Sequence, residues 1–188
     1  MAALAVALLC WLVWFLPEAY QAALVYDSNA AVAGEWWRLW SGHLTHYTLS
    51  QLIADSGLVA LLGLVLHRVI SPYLFAISII VALPLISLLL IWLVPEMNSY
   101  RGASGLAAML WFMVGLHLIV QAKRGSVPIW IGPLFILLLI AKVAGEALAL
   151  FPALSELPAG VVVAWQVHLF GMVIGLMVYL LCVRKQSD

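Results

Sequence analysis

Charge is scarce in this chain: Lys and Arg number eight, Asp and Glu eight, and together they are 9% of 188 residues, with no net charge at pH 7. That scarcity excludes an ordinary water-facing surface, which needs far more polar cover. No basic tract is present, so nucleic acid has no electrostatic footprint to bind. Cysteine is also rare. Cys10 and Cys182 sit in apolar stretches near opposite chain ends, which leaves no disulfide framework and no metal-binding spacing. Linkers and low-complexity segments are missing, so one domain over residues 1–188 is expected. The first apolar run lacks a preceding Lys or Arg and so has no positive n-region, and it reads as a retained helix rather than a signal peptide.

What is abundant is apolar surface, with 66% of residues hydrophobic. Lipid must cover part of it. Six stretches approach or exceed the ~20 residues that cross a hydrocarbon core: Ala2–Leu24, Gln51–Ile70, Tyr73–Val94, Gly102–Val120, Val127–Phe151 and Val161–Val183. The expected fold is therefore all-α, a polytopic membrane bundle of six transmembrane helices. If the helices alternate, Arg68, Lys123, Arg124, Arg184 and Lys185 share one side. Asp27, Glu35, Glu96 and Glu156 collect on the other, with only Arg38 and Arg101. The basic side is expected to be cytoplasmic, and both termini with it. Short joins at His67–Pro72 and Gln121–Ser126 imply antiparallel neighbours.

One connection is long. Val25–Ser50 falls on the outer side and contains Trp36, Trp37, Trp40 and Tyr47. Such rings favour headgroup depth, so this loop is expected to lie partly in the outer leaflet of the lipid bilayer. His43 and His46 have the spacing of a metal pair, but no third ligand or HExxH helix accompanies them. Hydrogen bonding that shapes the loop is the better reading, and no metal or cofactor is expected.

Two motifs point to chemistry. Gly102-Ala103-Ser104-Gly105 opens the fourth stretch, and His168 in the sixth precedes Gly171 and Gly175 at i+3 and i+7. Counting inward from the outer side, Asp55, Ser104 and His168 all lie on the order of 5–12 Å deep at ~1.5 Å per residue. Polar groups are costly in lipid and tend to face an interior cavity. Small residues alone suit helix packing. An imidazole on that same close-contact face is not explained by packing.

A serine hydroxyl is a weak nucleophile until a base takes its proton, and imidazole suits that task. Ser104 would attack a peptide carbonyl and His168 would protonate the leaving amine. Backbone N–H groups of Ala103 and Ser104, in a helix first turn, are available for the oxyanion. Gly102 and Gly105 permit a tight turn and close approach. Lys142 and Glu146, four apart in the fifth stretch, read as an intramembrane ion pair.

On Trp37-Arg38, the GxSG of Gly102–Gly105 and the HxxGxxxG from His168, nearly the whole chain resembles the rhomboid family of intramembrane serine proteases in its minimal six-helix form. The loop motifs Gly34-Glu35-Trp36-Trp37-Arg38 and Gly42-His43-Leu44-Thr45-His46 resemble the rhombosortase subgroup. The resemblance implies a catalytic dyad of Ser104 and His168 in a bacterial inner membrane, with the active site opening to the periplasmic side. It also implies single-pass membrane substrates, with a C-terminal Gly-Gly sorting tail in the subgroup. One departure stands out. The family's histidine and asparagine oxyanion donors map onto Gln51 and Asp55. Gln51 still donates through its amide. Asp55 either stays protonated and donates, or accepts a bond from an imidazole and orients it. That departure keeps open an alternative, a proteolytically inactive relative that binds or escorts membrane helices.

Overall fold

The computed structural model of the protein describes residues 1–150, 157–158 and 161–182. Phe151, Glu156, Val183, Arg184 and Lys185, used above for span ends and orientation, lie outside the described residues. Helix makes up 73% of the described chain and strand 2%. In order come α1 (Ala2–Trp14), α2 (Glu18–Leu24), β1 (Tyr26–Asp27), α3 (Ser28–Val32), α4 (Arg38–Ser41), a 3-10 turn (Gly42–Leu44), α5 (Leu49–Leu66), α6 (Pro72–Leu93), β2 (Ser99–Tyr100), α7 (Ser104–Lys123), α8 (Ile131–Ala147) and α9 (Trp165–Cys182).

Four helices, α5, α6, α7 and α9, are long and apolar enough to cross a membrane. Leu61, Val81, Trp92 and Leu181 on them are exposed, as lipid-facing side chains are. The chain is an all-α membrane protein. The first expected span is divided: α1 stops at Trp14 and a new helix, α2, starts after Pro17. Proline has no N–H to continue the ladder. The 13 residues of α1 reach ~20 Å, short of a ~30 Å hydrocarbon core. Helix α8, inside the fifth expected stretch, is 17 residues long.

The helix starts follow local chemistry. Thr48 caps α5 by accepting from Gln51 N–H at 3.3 Å, and Ser71 caps α6 by accepting from Leu74 N–H at 3.3 Å. Pro72 occupies the first turn of α6, where a missing N–H costs nothing. Helix α7 has no side-chain cap. It follows Gly102 at φ +134°, a left-handed conformation that a side chain resists.

Packing centres on α7. A Cβ on Gly171 would fall on the Gly105 carbonyl oxygen, and one on Gly175 would lie 2.7 Å from the Met109 carbonyl oxygen. A Cβ on Gly105 would lie 2.5 Å from Val167 Cγ1. Backbones of α7 and α9 thus touch at Gly171 and Gly175, the close approach that favours helix association in lipid. On the other side of α7, Gly115 faces Ile136 and Gly132 faces the Ile119 backbone, so α8 also approaches closely. Helix α1 lies on α5, where Trp11 Nε1 donates to Ser56 Oγ at 3.1 Å.

The long connection before α5 is tied down. Strands β1 and β2 pair antiparallel, Tyr26 opposite Tyr100 and Asp27 opposite Ser99. Ser28 N–H donates to the Asn98 carbonyl at 3.0 Å and Gly102 N–H to the Gly42 carbonyl at 3.3 Å. Trp36, Trp37 and Trp40 stay exposed. The indole N–H of Trp37 reaches Ala23 O at 3.0 Å and that of Trp40 reaches Ile80 O at 2.9 Å. Rings turned outward, with the N–H groups of Trp37 and Trp40 satisfied, suit a headgroup layer.

The seam yields a stability prediction. Gly171→Ala should destabilise the protein by about 1–3 kcal/mol, because a backbone oxygen must move. Gly57→Ala on α5, where a Cβ meets nothing within 4 Å, should be neutral or stabilising by less than ~1 kcal/mol. Thermal unfolding in detergent micelles, followed by tryptophan fluorescence, compares the two; equal midpoints would remove the seam as a stability element.

Candidate active site

Ser104 is the first residue of α7. Its Oγ lies 3.1 Å from the Tyr100 hydroxyl, which itself donates to the Gly102 carbonyl at 2.7 Å. A phenol has one proton to give, so the Ser104 hydroxyl is the donor in the first bond. Burial, with the nearby Asp55 charge adding to it, pushes the Tyr100 phenol well above its usual range. Tyr100 therefore stays protonated and holds the turn that carries Ser104. The α7 ladder opens with Ala107 N–H on the Ala103 carbonyl at 2.9 Å, so the amides of Ala103 and Ser104 lie ahead of it.

His168 comes three residues after the start of α9, because residues 161–164 are not helical. It is buried, and its Nδ1 lies 2.7 Å from Glu146 Oε2 on α8. Lys142 Nζ donates to Glu146 Oε1 at 2.6 Å and sits 3.2 Å from His168 Nδ1. The ion pair expected between Lys142 and Glu146 is thus present, and the second carboxylate oxygen reaches across to another helix.

Ser104 and His168 front one cavity of about 760 Å³, together with Tyr47, Gln51, Asp55, Arg101, Lys142 and Glu146. The glycine seam explains the convergence. Gly105 and Val167, each next in sequence to one of the pair, are in direct contact. Among the described residues, the Ser104 hydroxyl is bonded to Tyr100 and not to His168.

Gln51 and Asp55 flank the turn before Ser104. A Cβ on Gly102 would lie 2.6 Å from Gln51 Nε2 and 3.0 Å from Asp55 Oδ2. Gln51 Nε2 donates to the Arg101 carbonyl at 2.9 Å and its Oε1 accepts from Tyr47 N–H at 2.9 Å. Among the described residues, one hydrogen of the Gln51 amide has no partner and is able to donate. Asp55 Oδ2 lies 3.4 Å from His46 Nε2. That contact lacks hydrogen-bond geometry, and among the described residues both His46 nitrogens and Asp55 Oδ2 are buried without a hydrogen-bond partner. The imidazole beside Asp55 is His46; the carboxylate on His168 is Glu146. Sequence reasoning missed Tyr100 and the reach of Glu146. A carboxylate in the last turn of an apolar helix, one turn from a lysine, was the available signal for Glu146.

Among the described residues, no group of three or more His, Cys, Asp or Glu side chains is placed to hold a metal ion. No protein-family model matches the chain, and no curated protein matches it in sequence.

His43 works within the loop. Its ring is fully buried, with Nε2 2.9 Å from the Leu83 carbonyl and 3.0 Å from Ser87 Oγ. Desolvation pushes its pKa down to about 4, although the Leu83 carbonyl opposes the shift. Below its ordinary ~6.5 the unfolded chain binds a proton that the folded chain refuses. Stability is thus full above pH ~6.5 and falls by up to roughly 3 kcal/mol as pH drops toward 4. The thermal midpoint of the wild type should fall across that window, and His43→Gln should flatten the fall. An unchanged pH profile in the variant would remove His43 as its source.

Proposed function

We propose that the protein is an intramembrane serine endopeptidase of the rhomboid type, with Ser104 as nucleophile and His168 as general base. The observation that carries this reading is the convergence of a hydroxyl and an imidazole, from two helices, on one cavity held by a glycine seam. In this reading the bundle has six spans, counting α1 with α2 and α8, with both termini cytoplasmic and the cavity open to the periplasmic face of a bacterial inner membrane.

Catalysis begins when the Ser104 hydroxyl turns from Tyr100 toward His168 Nε2. Ser104 Oγ attacks the scissile carbonyl carbon, and its proton passes to Nε2. The oxyanion is met by the amides of Ala103 and Ser104, with the free amide hydrogen of Gln51 in reach of the same turn. Collapse breaks the C–N bond, and Nε2 returns the proton to the leaving amine. Water then attacks the acyl ester and gives a proton to Nε2; the ester C–O bond breaks, Nε2 returns that proton to Ser104 Oγ, and the acid product leaves. No cofactor is required. The substrate is a single-pass membrane segment cut near its outer end. Its helix must unwind there, because a helical carbonyl is held by its own ladder. Glycine lowers that cost, which fits a C-terminal Gly-Gly sorting tail.

A second reading, an inactive relative that binds or escorts membrane helices, is favoured by one observation: the Ser104 hydroxyl is parked on Tyr100. Co-expression with a tagged, Gly-Gly-tailed single-pass protein separates the two. Cleavage should disappear in Ser104→Ala and in His168→Ala while both variants stay in the membrane. Cleavage that survives Ser104→Ala would sink the serine mechanism.

A further inference from the structure

We propose that Glu146 is a positioning residue for His168, so that the working unit is Ser104, His168 and Glu146 rather than a dyad. The inference rests on the reading of Ser104 and His168 as nucleophile and base.

Lys142 donates to Oε1, which leaves Oε2 as the acceptor 2.7 Å from His168 Nδ1. A carboxylate accepts and does not give, so the imidazole proton belongs on Nδ1. Nε2 is then a lone pair, the form needed to take the Ser104 proton. Both partners are inside the protein, with side-chain exposures of 7% for His168 and 5% for Glu146. A bond there is not lost to competing water. When His168 takes the proton, the imidazolium forms against a carboxylate already in place. Lys142 Nζ, 3.2 Å from Nδ1, has only protons to give and would bond Nδ1 only in the other tautomer; the shorter 2.7 Å contact with Glu146 selects Nδ1–H.

A purely structural Lys–Glu pair on α8 would need no third partner. Here the second oxygen bridges to α9, and the close contacts of Gly115 and Gly132 set how near α8 stands to the site. Glu146 lies in the last turn of α8 and His168 in the first turn of α9, so both groups occupy the same end of the bundle.

The full chain in proteoliposomes, treated with an alkyl fluorophosphonate, provides the test. Ser104 Oγ attacks phosphorus, fluoride leaves and His168 takes the proton, so the labelling rate at Ser104, read by peptide mass spectrometry, reports the base directly. Glu146→Gln keeps the shape but turns an amide N–H toward Nδ1 and selects the wrong tautomer. It should slow labelling by ~100-fold or more, whereas Glu146→Asp should recover to within about tenfold of wild type. Glu146→Gln labelled within twofold of wild type would overturn the proposal and leave Ser104 and His168 standing. Equal slowing in the Gln and Asp variants would overturn it in favour of a structural pair. No labelling of wild-type Ser104 would instead overturn the serine reading, and this proposal with it.

Discussion

Gly171 has no room for a side chain, because a Cβ there would sit on the carbonyl oxygen of Gly105. Gly175 stands in the same relation to Met109 one turn further along. In lipid, apolar side chains give two helices little reason to associate, so close backbone contact has to supply it. The seam therefore fixes both the distance between α7 and α9 and their rotation about their own axes. Gly105 and Val167 are pressed together, and Ser104 and His168 beside them line one cavity. The site is a consequence of that contact.

A second constraint acts at the same end of the bundle. Polar groups are expensive inside a membrane unless they find partners, and here they find them in a single layer. Tyr100 links Ser104 to the Gly102 carbonyl, Gln51 joins Tyr47 to Arg101, and Glu146 joins Lys142 to His168. The long connection before α5 closes the layer through the pairing of Tyr26 with Tyr100. His43, seated on α6 through Leu83 and Ser87, anchors that connection from below. The His46–Asp55 contact is the exception, two buried groups 3.4 Å apart without hydrogen-bond geometry. That pair lies beside the turn that carries Ser104.

Much of this was readable from residue order, and the rest was hidden for identifiable reasons. Hydropathy and length reveal α5, α6, α7 and α9, because an apolar run long enough to span has few other uses. The same criterion runs through Pro17 and joins α1 to α2, since hydropathy is blind to a missing N–H. Strands of two residues carry no periodicity, so the Tyr26–Tyr100 pairing was invisible. Depth counting put Asp55, Ser104 and His168 in one layer but said nothing about rotation. Rotation is why Asp55 meets His46 while Glu146 meets His168. The i, i+4 spacing of Lys142 and Glu146 disclosed their ion pair. It could not disclose that the carboxylate has a second oxygen aimed at another helix.

The central claim is that Ser104 and His168 share one cavity because α7 and α9 touch through their backbones. Replacing Cys10 and Cys182 by serine, and Ser104 and His168 by cysteine, makes that claim measurable in intact membranes with a short bifunctional thiol reagent. Peptide mass spectrometry should find the two positions bridged within the same chain. Thiols that each react singly, yet never bridge, would contradict the account.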